Sequence, residues 1–170
     1  MSDEPLRPDP DRLLQHTAAP HRGKLKVFFG ACAGVGKTWA MLAEAQRLRA
    51  QGLDILIGVA ETHGRKETAA MLQGLSTLPP RRLAHRGRYV YEFDLDAALA
   101  RRPALILVDE LAHSNAPGSR HPKRWQDVDE LLEAGIDVFT TVNVQHLESL
   151  NDVVSGITGV QVLSLIHISE

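Results

Sequence analysis

The sequence has a single cysteine, few aromatic side chains and no long apolar run. One thiol excludes an internal disulfide, as is typical of proteins from a reducing compartment. A membrane-spanning helix needs about 18 consecutive apolar residues, and the N-terminus lacks the basic and apolar segments of a signal peptide. The formal net charge of −2 gives no overall attraction to nucleic acid. We therefore expect a cytoplasmic globular protein that does not bind nucleic acid.

Length and composition predict one compact domain that follows a flexible leader. A chain of 170 residues is long enough to bury a single hydrophobic core. Residues 1–22 carry four prolines and scattered charges, and we expect them to be flexible. Regular patterning begins near Lys24, so residues 23–162 are assigned to the domain.

Apolar runs typical of strands alternate with segments of helical periodicity. The predicted strands are residues 25–29, 54–60, 104–110 and 137–144, and residues 81–93 are predicted to hold one short strand and a turn. Helices are predicted over 41–48, 65–75, 94–102, 125–132 and 146–154, with Asp94 as an N-cap and with Gly52 and Gly135 as stops. This alternation predicts an α/β fold with a mostly parallel sheet flanked by helices. Ligands of such sheets bind beyond the carboxyl ends of the strands.

The stretch GACAGVGKT after the first strand is close to the phosphate-loop pattern, with alanine in place of the first glycine. Small residues let consecutive backbone N–H groups point at a phosphate, and the following helix N-terminus favours an anion. Lys37 would reach the β- and γ-phosphates, and Thr38 would bind Mg²⁺. The predicted nucleotide-binding residues are Gly30, Ala31, Cys32, Ala33, Gly34, Val35, Gly36, Lys37 and Thr38. The alternative is an incidental glycine turn.

The run LILVDE supplies the acid that a phosphate loop needs. Asp109 at the end of an apolar strand would hold Mg²⁺ together with Thr38. Glu110 beside it is the candidate catalytic group, because it could polarise an attacking water or hydroxyl. The alternative is a strand that simply ends at the surface. The two motifs together predict a three-layer P-loop NTPase-like fold.

Further polar residues follow the other strands and the acidic run, and they are candidates for sensing the nucleotide or contacting a partner. The candidates are Glu61, His63, Arg65, Arg120, Lys123, Arg124, Asn143, Gln145 and His146. The last three could sense the γ-phosphate, or could be a helix cap and loop polars. The basic loop 119–125 could bind phosphate, contact a partner, supply an arginine to a neighbouring subunit, or be a solvated loop. No guanine-reading motif follows the fourth strand, which favours ATP.

The stretches FFGACAGVGKTWAMLAEAQ, GVAETHGRKET and RRPALILVDELAHSNAPGSRHPKRWQDVDELLEAGIDVFTTVNVQHLESLNDVV, in this order, resemble the N-terminal domain of KdpD-type sensor histidine kinases. The resemblance covers residues 24–162. Ala33 departs from it, since many relatives have proline there. The tail 163–170 also departs from the pattern and is interpreted as artefactual.

The resemblance implies a cytoplasmic regulatory module with ATP and Mg²⁺ as cofactors. In the family a stress-protein-like domain, membrane helices and a kinase core follow, which implies a dimeric receptor at the inner membrane. A response regulator and a subunit of a potassium pump are possible partners. The phosphoacceptor helix and the ATP lid of the kinase core are missing from these 170 residues.

Three hypotheses follow from the sequence. The first is an ATP- and Mg²⁺-binding sensor domain that controls potassium uptake. The second is a phosphoryl-transfer enzyme, either an ATPase or a serine/threonine-type kinase. The third is a docking module whose loop is only structural.

Overall fold

The computed structural model describes residues 22–30, 35–143 and 166–168. Its strands are β1 (Leu25–Gly30), β2 (Ile55–Val59), β3 (Ser76–Thr77), β4 (Arg81–His85), β5 (Arg88–Glu92), β6 (Leu105–Val108), β7 (Asp137–Asn143) and β8 (Ile166–Ile168). Its helices are α1 (Val35–Ala50), α2 (Lys66–Ala70), α3 (Leu95–Arg101) and α4 (Arg124–Glu133). Within these ranges no helix is long and apolar enough to span a bilayer.

Six strands form one sheet in the order β3-β2-β6-β7-β1-β8, and each of their pairings is parallel. The strands β4 and β5 form a separate antiparallel hairpin. The predicted α/β fold with a mostly parallel sheet flanked by helices is therefore confirmed. In this order β7 lies between β1, which leads into the predicted phosphate loop, and β6, which leads into Asp109.

Successive side chains of a strand point to opposite faces of the sheet, and both faces of this sheet are apolar. Helices therefore cover both faces. One face packs on α3 and α4, through residues that include Val27, Ile106, Val138, Val128 and Leu131. The other face packs on α1, through residues that include Phe28, Leu107, Phe139, Met41 and Leu42. Burial on both faces explains the uninterrupted apolar run of β6, all four residues of which are buried.

The predicted ends of three helices are confirmed. Asp94 caps α3, where its Oδ1 accepts from the N–H of Ala97 over 3.1 Å. Beyond α1 and α4 the chain turns at Gly52 and Gly135, whose φ angles of 93° and 87° suit glycine.

Two local predictions are wrong. The helix predicted over 65–75 ends at Ala70, and tighter turns follow because the N–H groups of residues 71–73 bond to carbonyls three positions back. The Gln46 side chain stabilises these turns by donating to the carbonyls of Met71 and Gln73. Residues 81–93 hold two strands rather than one, joined at Arg86 and Gly87.

Part of the tail interpreted as artefactual also has structure. Ile166–Ile168 pair in parallel with Phe28–Gly30 and form one edge of the sheet. The leader predicted over 1–22 and the helix predicted over 146–154 lie outside the described residues, except for Arg22.

Candidate functional site

The carboxyl ends of β1, β7, β6 and β2 meet at one edge of the sheet. Among the predicted phosphate-loop residues, Gly30 ends β1, and Val35, Gly36, Lys37 and Thr38 form the first turn of α1. Asp109 follows β6, Glu61 follows β2, and Asn143 ends β7. The other residues of the prediction lie outside the described residues, namely Ala31, Cys32, Ala33, Gly34, Gln145 and His146.

Asp109 is fully buried, and three donors surround its carboxylate. The Thr38 hydroxyl donates to Oδ2 over 3.0 Å, and the backbone N–H of Glu61 donates to the same oxygen over 2.8 Å. The Thr141 hydroxyl donates to Oδ1. Such partners are required because a buried charge without them is strongly unfavourable. The contact between Thr38 and Asp109 joins positions 71 residues apart and brings the two predicted metal ligands together.

Thr141 is a site residue that the sequence does not reveal. It lies on β7 between the strands that carry the two motifs, and it is fully buried. Its hydroxyl donates to Asp109 and accepts from the backbone N–H of Glu110 over 2.9 Å. In the sequence Thr140 and Thr141 look alike, as two β-branched residues of a strand. Only the tertiary structure shows which of the two faces the carboxylate.

Lys37 is 5% exposed, and its aliphatic stem passes directly over Gly30. A Cβ added at Gly30 would lie 2.2 Å from Cγ of Lys37 and 2.5 Å from Cδ. At that separation the lysine stem would have to shift to make room for a side chain. Glycine at position 30 therefore lets the lysine stem lie against the backbone.

A cavity of about 140 Å³ opens beside Lys37. It is lined by Lys37, Glu110, Ala112, His113, Thr141, Val142 and Asn143. The side-chain Oδ1 of Asn143 is buried and has no hydrogen-bond partner among the described residues. This oxygen is therefore available to accept a hydrogen bond from a group that enters the cavity.

Glu110 reaches this cavity because the chain reverses immediately after Asp109. Its φ angle is 62°, in the left-handed region. The backbone N–H of Leu111 then donates to the carbonyl of Thr141 over 2.9 Å, which fixes the turn against β7. The candidate catalytic carboxylate and the predicted phosphate-binding lysine thus line the same cavity.

The cations of the basic loop all contact other groups of the protein. Arg124 is 4% exposed, and its Nη1 donates to the backbone carbonyl of Asp109 over 2.8 Å. Burial lowers the pKa of the Arg124 guanidinium, and the nearby carboxylates, Glu92 first among them, act in the opposite direction. Arg120 pairs with carboxylates on α3 and α4, and Lys123 donates to the Ser114 hydroxyl over 2.7 Å. In this arrangement all three support the loop.

Glu92 and His113 form a second polar pair that the sequence does not reveal. Glu92, at the end of β5, is 9% exposed. Its Oε1 lies 3.0 Å from Nε2 of His113, and its Oε2 accepts from the N–H of Ala116 over 2.8 Å. Nη2 of Arg124 lies 3.6 Å from Oε1. The pair therefore connects the β4–β5 hairpin to the turn that carries Glu110 and His113.

The candidate residues after β2 make fewer contacts with the site around Asp109 and Lys37. Glu61 contributes its backbone N–H to Asp109, whereas its side chain is exposed. His63 and Arg65 are also exposed, and neither lines the cavity beside Lys37. His63 has a φ of 54°, so the chain bends there on its way to α2.

The sequence matches a sensor-domain family and individual sensor proteins. Residues 21–167 match the family model described as KdpD, osmosensitive K+ channel His kinase sensor domain. Sensor protein KdpD of Escherichia coli (strain K12) is 86% identical over 162 residues, which cover 95% of this chain. Sensor protein KdpD of Mycobacterium tuberculosis (strain H37Rv) is 53% identical over 149 residues, or 88% of this chain.

The chain spans only 18% and 17% of the length of these two relatives. Among solved structures, the Legionella pneumophila ATPase DotB is similar with a TM-score of 0.44 and 18% identity, over 92% of this chain and 40% of that one. That similarity is too low to support an argument. The family match and the two sequence relatives are sufficient, and the chain belongs to the KdpD sensor-domain family.

Proposed function

We propose that this chain is an ATP- and Mg²⁺-binding regulatory domain of a KdpD-type sensor histidine kinase, and that it has a three-layer P-loop NTPase-like fold. The observation that carries the proposal is the contact between the Thr38 hydroxyl and the buried carboxylate of Asp109, next to a buried Lys37. A phosphate loop needs these three groups close together, although they are far apart in the sequence.

The residues present fit the proposed cofactors. Mg²⁺ prefers six oxygen ligands and commonly binds through one or two protein groups plus phosphates and waters. Thr38 and Asp109 supply two oxygens, and no cluster of three or more His, Cys, Asp or Glu side chains forms among the described residues. The remaining ligands would be phosphate and water oxygens. Lys37 and the amides of residues 30–38 would bind the phosphates, and the bound metal would neutralise part of their charge.

The proposal extends to the domains of the full-length protein that this chain does not include. The relatives are more than five times as long as this chain, which leaves room for the stress-protein-like domain, membrane helices and kinase core that the family implies. We propose that the whole protein is a dimeric receptor at the inner membrane, with this domain on the cytoplasmic side. It would control potassium uptake through a response regulator or a subunit of a potassium pump.

Calorimetry of Mg·ATP binding to the wild type, Lys37→Ala and Lys66→Ala tests the proposal. Lys66 is a matched control, because it lies in the first turn of α2 and is exposed. A charge-assisted hydrogen bond contributes about 1.5–3 kcal/mol, so Lys37→Ala should weaken binding by about 10- to 150-fold. Lys66→Ala should bind like the wild type. Equal affinities of all three proteins would contradict the proposal.

A second candidate function is phosphoryl transfer to water or to a protein hydroxyl. The position of Glu110 favours it, because this carboxylate lines the same cavity as Lys37. Labelled ATP should then turn over in the wild type, and turnover should be lost in Glu110→Gln while Mg·ATP affinity is kept. If no label moves with or without candidate protein acceptors, the domain binds the nucleotide without transferring phosphate.

A further inference from the structure

The cavity beside Lys37 is too small to enclose a whole nucleotide. At about 140 Å³ it is smaller than the roughly 300–1,000 Å³ of pockets that enclose a whole small molecule. Lys37 is the residue expected at the β- and γ-phosphates, and Glu110 and Asn143 lie on other parts of the wall. If ATP binds as proposed above, its terminal phosphate enters this cavity and the rest of the nucleotide lies outside.

His113 is held rigidly in the wall of this cavity. Its backbone is fixed at both ends, since its N–H donates to the carbonyl of Glu110 over 3.1 Å and its carbonyl accepts from the N–H of Arg124 over 3.0 Å. Its ring is fixed by Glu92, which lies 3.0 Å from Nε2. The Ala116 N–H in turn holds Glu92. Little conformational entropy is left to lose when His113 contacts a ligand.

The partner of Nε2 determines the chemistry of the other ring nitrogen. A carboxylate on Nε2 keeps the proton there, and Nδ1 of His113 has no partner among the described residues. Only an imidazolium carries an N–H at Nδ1, so the contact of Nδ1 with a phosphate oxygen would be a charge-assisted hydrogen bond from a ring with a proton on both nitrogens. The charged groups around the ring are Glu92 on β5, Arg124 at the start of α4, and Lys37 and Glu110 on the cavity wall. Two are positive and two negative, so an imidazolium adds the positive charge that the γ-phosphate requires.

We propose that His113, oriented by Glu92, contacts the terminal phosphate and thereby distinguishes ATP from ADP at this site. Glu92 acts as a positioning residue. The contact also links the nucleotide to the rest of the domain, because Glu92 belongs to the hairpin and accepts from the N–H of Ala116, which lies between β6 and α4. The inference rests on the proposed binding of ATP.

The test compares Mg·ATP and Mg·ADP affinities by calorimetry in the wild type, His113→Gln, Glu92→Gln and the control His121→Gln. His121 is matched because its Nε2 also pairs with a glutamate, Glu130, over 2.8 Å, and it does not line the cavity. We expect the wild type to prefer ATP. His113→Gln should weaken ATP binding about tenfold or more and change ADP binding less than about twofold. His121→Gln should change neither.

Glu92→Gln should lower the preference for ATP only while His113 is present, so the double variant should have the same ratio as His113→Gln alone. Retained ADP binding shows that each variant is folded. If the wild type binds neither nucleotide, the proposed function itself fails. If the wild type binds ATP but shows no preference over ADP, or if His113→Gln keeps the wild-type ratio, only the inference about His113 is overturned.

Discussion

Two neighbouring threonines provide a direct test of the hydrogen-bond arrangement around Asp109. Thr140 and Thr141 are both fully buried on β7. The hydroxyl of Thr141 makes two hydrogen bonds, one to the Asp109 carboxylate and one from the Glu110 N–H. The hydroxyl of Thr140 has no hydrogen-bond partner among the described residues. Valine replaces either hydroxyl with a methyl group of similar size, so the two variants differ mainly in the hydrogen bonds that they remove.

The expected magnitudes follow from these contacts. A hydrogen bond to a charged group contributes about 1.5–3 kcal/mol, and a neutral one about 0.5–1.5 kcal/mol. Thr141→Val should therefore lower the free energy of unfolding by about 2–4 kcal/mol. Thr140→Val removes a buried hydroxyl that has no partner, so the free energy of unfolding should stay the same or rise by up to about 1 kcal/mol.

Urea unfolding followed by circular dichroism measures both effects. With a slope of about 2 kcal/mol per molar urea, the midpoint of Thr141→Val should fall by about 1–2 M. The slopes of the three proteins should agree, because the surface exposed on unfolding is nearly the same. If the unfolding free energies of the two variants agree within about 0.5 kcal/mol, the Thr141 hydroxyl does not stabilise Asp109 as described.

Three further changes test other contacts. Gly30→Ala places a Cβ 2.2 Å from Cγ of Lys37 and should weaken Mg·ATP binding about tenfold in calorimetry; unchanged affinity would show that the lysine stem can move aside. Burial raises the pKa of Asp127, so the folded state keeps this proton to a higher pH than the unfolded chain. In urea titrations between about pH 3 and pH 6, the wild type should therefore lose stability relative to Asp127→Asn as the pH rises, and the opposite trend would refute the assignment. Arg101→Ala breaks an exposed ion pair with Asp54 and should leave the urea midpoint unchanged, whereas a clear decrease would show that the pair is stabilising.

Sequence patterns predict the main sheet well because burial on both faces leaves a simple signal. The strands β1, β2, β6 and β7 appear in the sequence as apolar runs of about the right length. The hairpin β4–β5 is harder to predict because its turn is Arg86-Gly87, and Arg86 adopts a left-handed φ of 51° that asparagine would ordinarily signal. The turns that follow α2 are held by Gln46, a residue of another helix, and a local sequence pattern does not reveal this contact.

Some residues of the candidate site can also be predicted from the sequence, and others are revealed only by the tertiary structure. Lys37, Thr38 and Asp109 belong to local motifs whose chemistry can be predicted from their spacing. Thr141 and Glu92 act only through tertiary neighbours, and Glu92 comes from a hairpin outside the main sheet. The sequence identifies Arg124 as a cation, and only the structure shows that the side chain is buried against the carbonyl of Asp109.

The left-handed backbone at Glu110 has a consequence for engineering this domain. A side chain with a Cβ costs on the order of 1 kcal/mol in that conformation, and glycine would remove the cost. Replacing left-handed residues with glycine is therefore a natural route to a more heat-resistant variant. At position 110 that route would remove the only acid among the described residues that line the cavity. Thermal stability and the proposed phosphoryl transfer would make opposing demands on this residue, and a stabilised variant of the domain would then need to gain its stability elsewhere.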